Sequence, residues 1–253
     1  MIDIHSHIIP GVDDGSESME STISLVNDAV SQGARAFFAT PHSRAFCNYG
    51  ENVTQRYEQM KAYIQRLFPN VDVYLGCELL CSKEDMEEIK LALHSGVMPT
   101  MNNTNYVLVE FYKEVDWETI KFCISALRLM DKIPIVAHVE RYASLVGCMD
   151  TIDALRDMEC LFQLNVYSLE SIQPEHSREW ARRLILEKKV DFLGTDMHGF
   201  RVRMPSITQG MLWLEENCDR EYRDAIAWKN AEEKLIKQKT NTCKERLRDY
   251  EEL

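Results

Sequence analysis

His5 and His7 stand one residue apart near the start of the chain, and Asp196 and His198 repeat that i, i+2 spacing far downstream. Each pair lies at the end of a short apolar run, where a strand's period of two turns both side chains to one face. Two imidazoles, or an imidazole and a carboxylate, aimed at one point can share a metal ion. Other candidates stand at the ends of intermediate apolar runs: His42 after Thr40 and Pro41, Glu78 after 73–77, Glu110 after 107–109, and His138 after 135–137. Asp13 and Asp14 follow in the first loop, with Gly15 expected to permit a tight turn. Five of the seven histidines thus end predicted strands. One such histidine is most often a satisfied structural residue. Several histidines and carboxylates, each closing an apolar strand, are costly unpaired groups unless they serve a common ligand. His94 and His176 fall outside the pattern and read as helix or loop-surface residues.

Mixed imidazole and carboxylate donors suit Mn²⁺, Fe²⁺ or Zn²⁺, with Mn²⁺ the first choice. About eight ligands suffice for two or three ions when a carboxylate bridges. Such a cluster generates hydroxide from water near neutral pH and neutralises charge on the attacked group, and phosphate esters are its natural substrates. Arg141 lies three residues after His138 and Arg203 five after His198. Either guanidinium could bind phosphate oxygens in a bidentate fork, against the plainer reading of a surface salt bridge.

These residues need a scaffold that brings strand ends together. Candidate strands at 2–5, 36–40, 71–75, 106–110, 135–138, 161–165 and 192–195 alternate with amphipathic stretches at 18–32, 51–68, 83–94, 117–130 and 176–188. That rhythm predicts parallel strands with helical crossovers in one α/β domain spanning 1–253, either a barrel or a doubly wound sheet. In a closed barrel the first and last strands are neighbours, so the two i, i+2 pairs meet at the C-terminal edge. Residues 209–252 read as helices rich in Glu, Lys and Arg, expected to form a solvated outer layer.

The net charge of −12 opposes non-specific nucleic-acid binding, and no basic strip is evident. No apolar run is long enough to insert into a membrane and no basic-then-apolar leader opens the chain, so a cytoplasmic protein is expected. The eight cysteines include no paired CxxC spacing and read as buried thiols. None is followed six positions later by Arg, the arrangement that cysteine-dependent phosphatases need around a low-pKa thiolate.

The block IDIHSHIIPGVDDGS at 2–16, with TPH at 40–42, AHVERY at 137–142 and GTDMH at 194–198, resembles the PHP superfamily (polymerase and histidinol phosphatase). More narrowly it resembles the manganese-dependent protein-tyrosine phosphatases of bacterial capsule and exopolysaccharide operons, the CpsB/CapC and YwqE-like group. The resemblance implies a distorted (β/α)7 TIM-like barrel with a trinuclear site. His5, His7, Glu78 and Asp196 would surround one ion, Glu78, Glu110 and His138 a second, and Asp14, His42 and His198 a third, with Glu78 bridging. Arg141 and Arg203 match the family's phosphate-binding arginines, and a metal-bound hydroxide would be the nucleophile. Residues 43–50 lack the group's more basic run, Phe111 and Tyr112 replace a proline-containing turn, and Asn230 is not followed by the proline of the family's terminal helix start. The loops at 43–50 and 111–116 bear on substrate preference.

The resulting expectation is hydrolysis of phosphotyrosine in a protein, with the tyrosine-rich tail of a bacterial autokinase as partner. The double-aspartate loop and the position of Arg203 favour it over a phosphatase of histidinol phosphate or another small metabolite. A non-catalytic, metal-containing kinase-binding module is the alternative of another class.

Overall fold

The computed structural model describes residues 1–201 and 203–238; the end of the predicted C-terminal helical stretch and Cys243 lie outside the described residues. Strands β1 (Ile2–Ser6), β2 (Ala36–Ala39) and β3 (Asp72–Leu75) form one parallel sheet, and β4 (Glu78–Leu80), β5 (Tyr106–Glu110), β6 (Ile133–Val136), β7 (Leu161–Asn165) and β8 (Phe192–Gly194) another. Two contacts join them into a barrel. His42 bridges to Glu78, and Ser6 to Met197, with Asp196 N–H donating to His5 O (2.8 Å) and His7 N–H to Met197 O (3.0 Å). The expected (β/α)7 plan is therefore present, with a distortion located in its third strand. That strand breaks at Gly76 and Cys77: β3 pairs back to β2 while β4 pairs forward to β5. Glu78 opens a strand rather than following one.

The helices follow the apolar periodicity. Helix α1 (Met19–Ser31) starts where Ser18 accepts a hydrogen bond from Ser21 N–H, and buries Thr22, Leu25, Val26 and Ala29 on one face. Helix α5 (Trp117–Arg128) starts at Asp116, which accepts from Thr119 N–H, and buries Ile120, Cys123, Ile124 and Leu127. Each fully buried Leu or Ile contributes about 1.5–3 kcal/mol. Between them lie α2 (Ser43–Tyr49), which the sequence did not announce, α3 (Glu51–Leu67) and α4 (Met86–Ser95). Further along are α6 (Met149–Asp157), also unannounced, α7 (Glu175–Leu186), α8 (Thr208–Asn217) and α9 (Arg220–Asp224).

Outward-facing strand residues such as Phe37, Val107, Val109 and Leu193 pack beneath the helices, while Ile2, Ile4, Phe38, Leu108, Ile135 and Phe192 form a separate cluster inside the barrel. Ala231 and Leu235, from a wide-turned helical segment Ala231–Ile236, complete that interior cluster, with Trp228 against it. The expectation of a solvated outer layer thus fails for this segment: its apolar residues close the barrel, and its charged residues face outward. No described helix is long and apolar enough to cross a membrane.

Candidate metal centre

Strand β1 carries one residue more than β2 between Asp3 and Ser6. This bulge puts both Ile2 and Ile4, and then His5 and His7, on the barrel interior, which strict alternation from Ile2 would not allow. Two glycines are small for a related reason. A Cβ on Gly194 would lie 2.8 Å from His5 Cβ, and one on Gly15 would lie 2.4 Å from His7 Cβ and 2.2 Å from His7 O. Gly15 serves close approach to His7; its φ is not in the left-handed region that a tight-turn role would suggest. By contrast His138 (φ 33°) and Asp196 (φ 53°) do adopt left-handed backbone, a strained conformation for such residues that aims both side chains inward from β6 and β8.

Glu78 lies at the centre. Its Oε1 is 3.1 Å from His5 Nε2 and 3.0 Å from His138 Nε2, while Oε2 is 3.2 Å from His7 Nε2 and 3.0 Å from His42 Nδ1. Glu110 Oε1 is 2.9 Å from His42 Nδ1, whereas its Oε2 is 4.0 Å from His138 Nε2, so Glu110 sits closer to His42 than to the expected partner His138. Asp196 Oδ1 is 3.6 Å from Nε2 of both His5 and His7. Asp14, largely exposed, places Oδ1 3.3 Å from His42 Nε2 and 3.5 Å from His198 Nε2. Four groupings have donor atoms mutually within 4.8 Å: His7, Asp14, His42 and His198; His5, His7 and Asp196; His5, Glu78 and His138; and His42, Glu78 and Glu110. Together they contain the nine residues that the family resemblance implies as ligands and no other; Asp13, also a candidate from the sequence, is in none of them.

A supporting layer orients these groups; the sequence had singled out Asp13, but as a companion of Asp14 rather than as a support, and Gln163 and Tyr142 were missed. His5 Nδ1 meets Gln163 Oε1 at 3.0 Å, His7 Nδ1 meets Asp13 Oδ2 at 2.8 Å, and His198 Nδ1 meets Asp196 O at 2.9 Å. Each acceptor takes the Nδ1 proton and leaves an Nε2 lone pair pointing into the cluster, the arrangement that metal-ligating imidazoles use. Tyr142 OH lies 3.2 Å from His138 Nδ1. Asp13 also accepts from His42 N–H and Gly15 N–H, and Asp3 ties β1 to β8 by accepting from Thr195 N–H and Oγ1–H. Gln163 and Asn165 offered a signal: two polar residues at i, i+2 within an otherwise apolar strand.

The donor set fits a cation on three counts. The Nε2 atoms of His5 and His7 face each other at 3.2 Å in a buried setting, an approach that needs a proton or a metal ion between them. Glu78 Oε2 is buried without a hydrogen-bond partner. The electrostatics also call for positive charge. Burial disfavours the imidazolium of His7, yet Asp13 and Glu78 overcome it and raise its pKa to about 10. His42 is raised further, against burial, by Asp14, Glu110 and Glu78. Burial likewise opposes ionisation of Glu78 and Asp196, but the surrounding imidazoles, with Arg141 beside Asp196, hold both well below the usual carboxylate range. His198 is lowered, by burial and by the neighbouring His7. All donors are nitrogen or oxygen. Burial pushes the Cys77 and Cys81 thiols well up, away from thiolate ligation.

The cluster opens into a cleft of about 940 Å³. Arg141 and Arg203 both line it, and both hold Asp196: Arg141 Nη1 at 3.0 Å from Oδ2, and Arg203 Nη1 bonded to Oδ1 and, at 3.2 Å, to the backbone oxygen. Phe111, Val146 and Pro174 give the cleft an apolar wall. His176, read as a surface residue, is exposed but belongs to this wall, whereas exposed His94 lies away from it on α4.

The relatives match nearly the whole chain. The tyrosine-protein phosphatase CpsB of Streptococcus agalactiae serotype III is 29% identical over 239 residues, covering 92% of this chain and 97% of the relative. The tyrosine-protein phosphatase YwqE of Bacillus subtilis is 27% identical over 224 residues, covering 87% and 86%. Among solved structures, one described with YwqE of Bacillus subtilis and CpsB of Streptococcus pneumoniae as metal-dependent tyrosine phosphatases superposes with a TM-score of 0.81. It is 24% identical, covers 95% of this chain and 96% of its own, and bears on the fold alone. The family model for capsular polysaccharide synthesis, CpsB/CapC, matches residues 1–237, and the chain belongs to that family.

Proposed function

We propose that this protein is a metal-dependent protein-tyrosine phosphatase whose metal ligands are His5, His7, Asp14, His42, Glu78, Glu110, His138, Asp196 and His198. The observation that carries the reading is the convergence of these side chains on the buried carboxylate of Glu78, with two arginines beside them on one cleft. The names of the CpsB and YwqE relatives support the same reaction and make phosphotyrosine in a protein the substrate. Mn²⁺ is the preferred ion, with Fe²⁺ and Zn²⁺ chemically compatible. The tyrosine-rich tail of a capsule-regulating autokinase is the proposed partner, since a flexible tail can reach a cleft on a barrel rim.

Divalent ions at such a site lower the pKa of water and neutralise phosphoryl charge. Arg141 and Arg203 bind phosphoryl oxygens, exchanging part of their hold on Asp196 for the substrate. Glu78 keeps the donors on either side of it at fixed separation, and Gln163 and Asp13 keep the His5 and His7 rings from turning. The apolar wall accommodates the phenyl ring and limits water around the leaving oxygen.

The test is to strip the protein of metal, restore Mn²⁺ alone and compare phosphate release from a phosphotyrosine peptide, histidinol phosphate and an oligonucleotide. The proposal expects metal-dependent turnover with the peptide preferred. Preference for histidinol phosphate would establish the small-metabolite reading instead, and peptide capture without turnover would establish a binding module.

A further inference from the structure

Strand β7 runs into a single tight helical turn, Val166–Leu169, that overhangs the cleft. The turn is fixed from two directions. Buried Glu140 accepts from Ser168 Oγ–H at 2.7 Å and from Asn165 N–H at 3.2 Å. From the other side α8 packs so closely that a Cβ on Gly210 would lie 2.4 Å from Val166 O. Tyr167 is thereby held half-buried at the cleft, its hydroxyl bonded to Arg141 Nη2 and 3.4 Å from Asn165 Nδ2.

The other side-chain partner of Arg141 is Asp196, which also faces Arg203, Asn165 Nδ2 at 3.1 Å and three imidazoles. A carboxylate committed to a cation has little left to give a guanidinium. The phenol is a different partner: it is neutral, so it fixes the guanidinium without cancelling the charge that a phosphoryl group needs. With its side chain 30% exposed, Arg141 would otherwise lose more conformational freedom on engaging a ligand.

We infer that Tyr167 is the positioning residue for Arg141, holding its guanidinium ready for the phosphoryl group; this rests on the phosphatase reading above. Tyr167 acts through Arg141 and takes no part in bond breaking.

The test compares Y167F, R141A and the double variant, each loaded with Mn²⁺. Calorimetry with inorganic phosphate gives affinity, and steady-state kinetics with p-nitrophenyl phosphate separate KM from kcat. For Y167F, phosphate Kd and KM are expected to rise about tenfold, the scale of one hydrogen bond to a charged group. Its kcat should stay within about twofold, because the lost restraint serves bound substrate and transition state alike. In the R141A background the second substitution should change neither constant. An unaltered Kd in Y167F, or an equal tenfold loss with Arg141 absent, overturns the inference. If the wild type binds phosphate but hydrolyses no aryl ester, the phosphatase reading fails while the calorimetric cycle still decides the role of Tyr167.

Discussion

At the N-terminal ends of the strands, Ile2, Ala36, Tyr106 and Phe192 pack with Ala231 and Leu235 into an apolar interior. A few residues farther along, the same barrel presents His5, His7, Glu78, His138 and Asp196, also buried, with backbone strain at two of them. The first end needs only shape and apolar surface, and it stabilises the fold. The second gathers four carboxylates and five imidazoles, groups that apolar packing cannot satisfy, and leaves Glu78 Oε2 buried without a hydrogen-bond partner. Stability and reactivity thus occupy opposite ends of one set of strands.

Substitutions can break this separation. The largest effect on turnover is expected from Glu78→Ala, since Glu78 belongs to two of the four donor groupings and is linked to the other two through their shared members His5 and His42. Phosphatase rate should fall by at least about a thousandfold, with metal content measured alongside. Full metal loading and rate in this variant would remove Glu78 from the centre. Leu235→Ala should do the reverse, costing about 2–5 kcal/mol in denaturant unfolding while KM and kcat per folded molecule stay put. A matching loss of kcat would show the two ends to be coupled.

A third experiment follows the thermal midpoint with pH, with and without metal. In the metal-stripped protein His7, raised to about 10, and His42, raised further, contribute stability fully below the ordinary histidine value, and lose it as pH rises through their folded values. Glu78 and Asp196, held low, contribute above the ordinary carboxylate values and lose it as pH falls. The stripped protein should therefore be more stable near pH 6 than near pH 9. Metal requires the same imidazoles deprotonated, so the stabilisation it adds should grow over that interval. A pH-independent gap between the two forms would show that protons and metal do not share these sites. The smallest effect belongs to Leu129→Ser: Leu129 is 88% exposed and lies at neither end, so stability should move by no more than about 0.5 kcal/mol, and activity not at all.

Sequence periodicity was a good guide to most of these elements because burial against a neighbouring layer dictates it. The two i, i+2 pairs, His42, Glu78, Glu110 and His138 stood out because polar groups closing apolar runs are conspicuous, whereas Asp14, in the first loop, was separated from Asp13 only by the family resemblance. Other features depend on three-dimensional neighbours. The bulge in β1 changes which residues face inward without changing their identity. The predicted strand at 71–75 is β3, but after the break at Gly76 and Cys77 a further short strand, β4, was not foreseen, and in it Glu78 pairs with His42 as well as with β5. Asp13 looked like a twin of Asp14, yet one holds a histidine from behind while the other faces the donor cluster; two residues adjacent in sequence point to different partners, and only the loop's path separates them. The segment after α9 looked solvated because charged residues run through it, although Ile226, Ala227, Ala231 and Leu235 are buried.

The position of Ala231 and Leu235 has a consequence for biosynthesis. A chain emerging from the ribosome supplies every strand of the barrel before it supplies the residues that fill the floor of the interior. During that interval Ile2, Phe38 and Phe192 lack their last apolar cover, leaving on the nascent chain exposed apolar surface of the kind that chaperones bind.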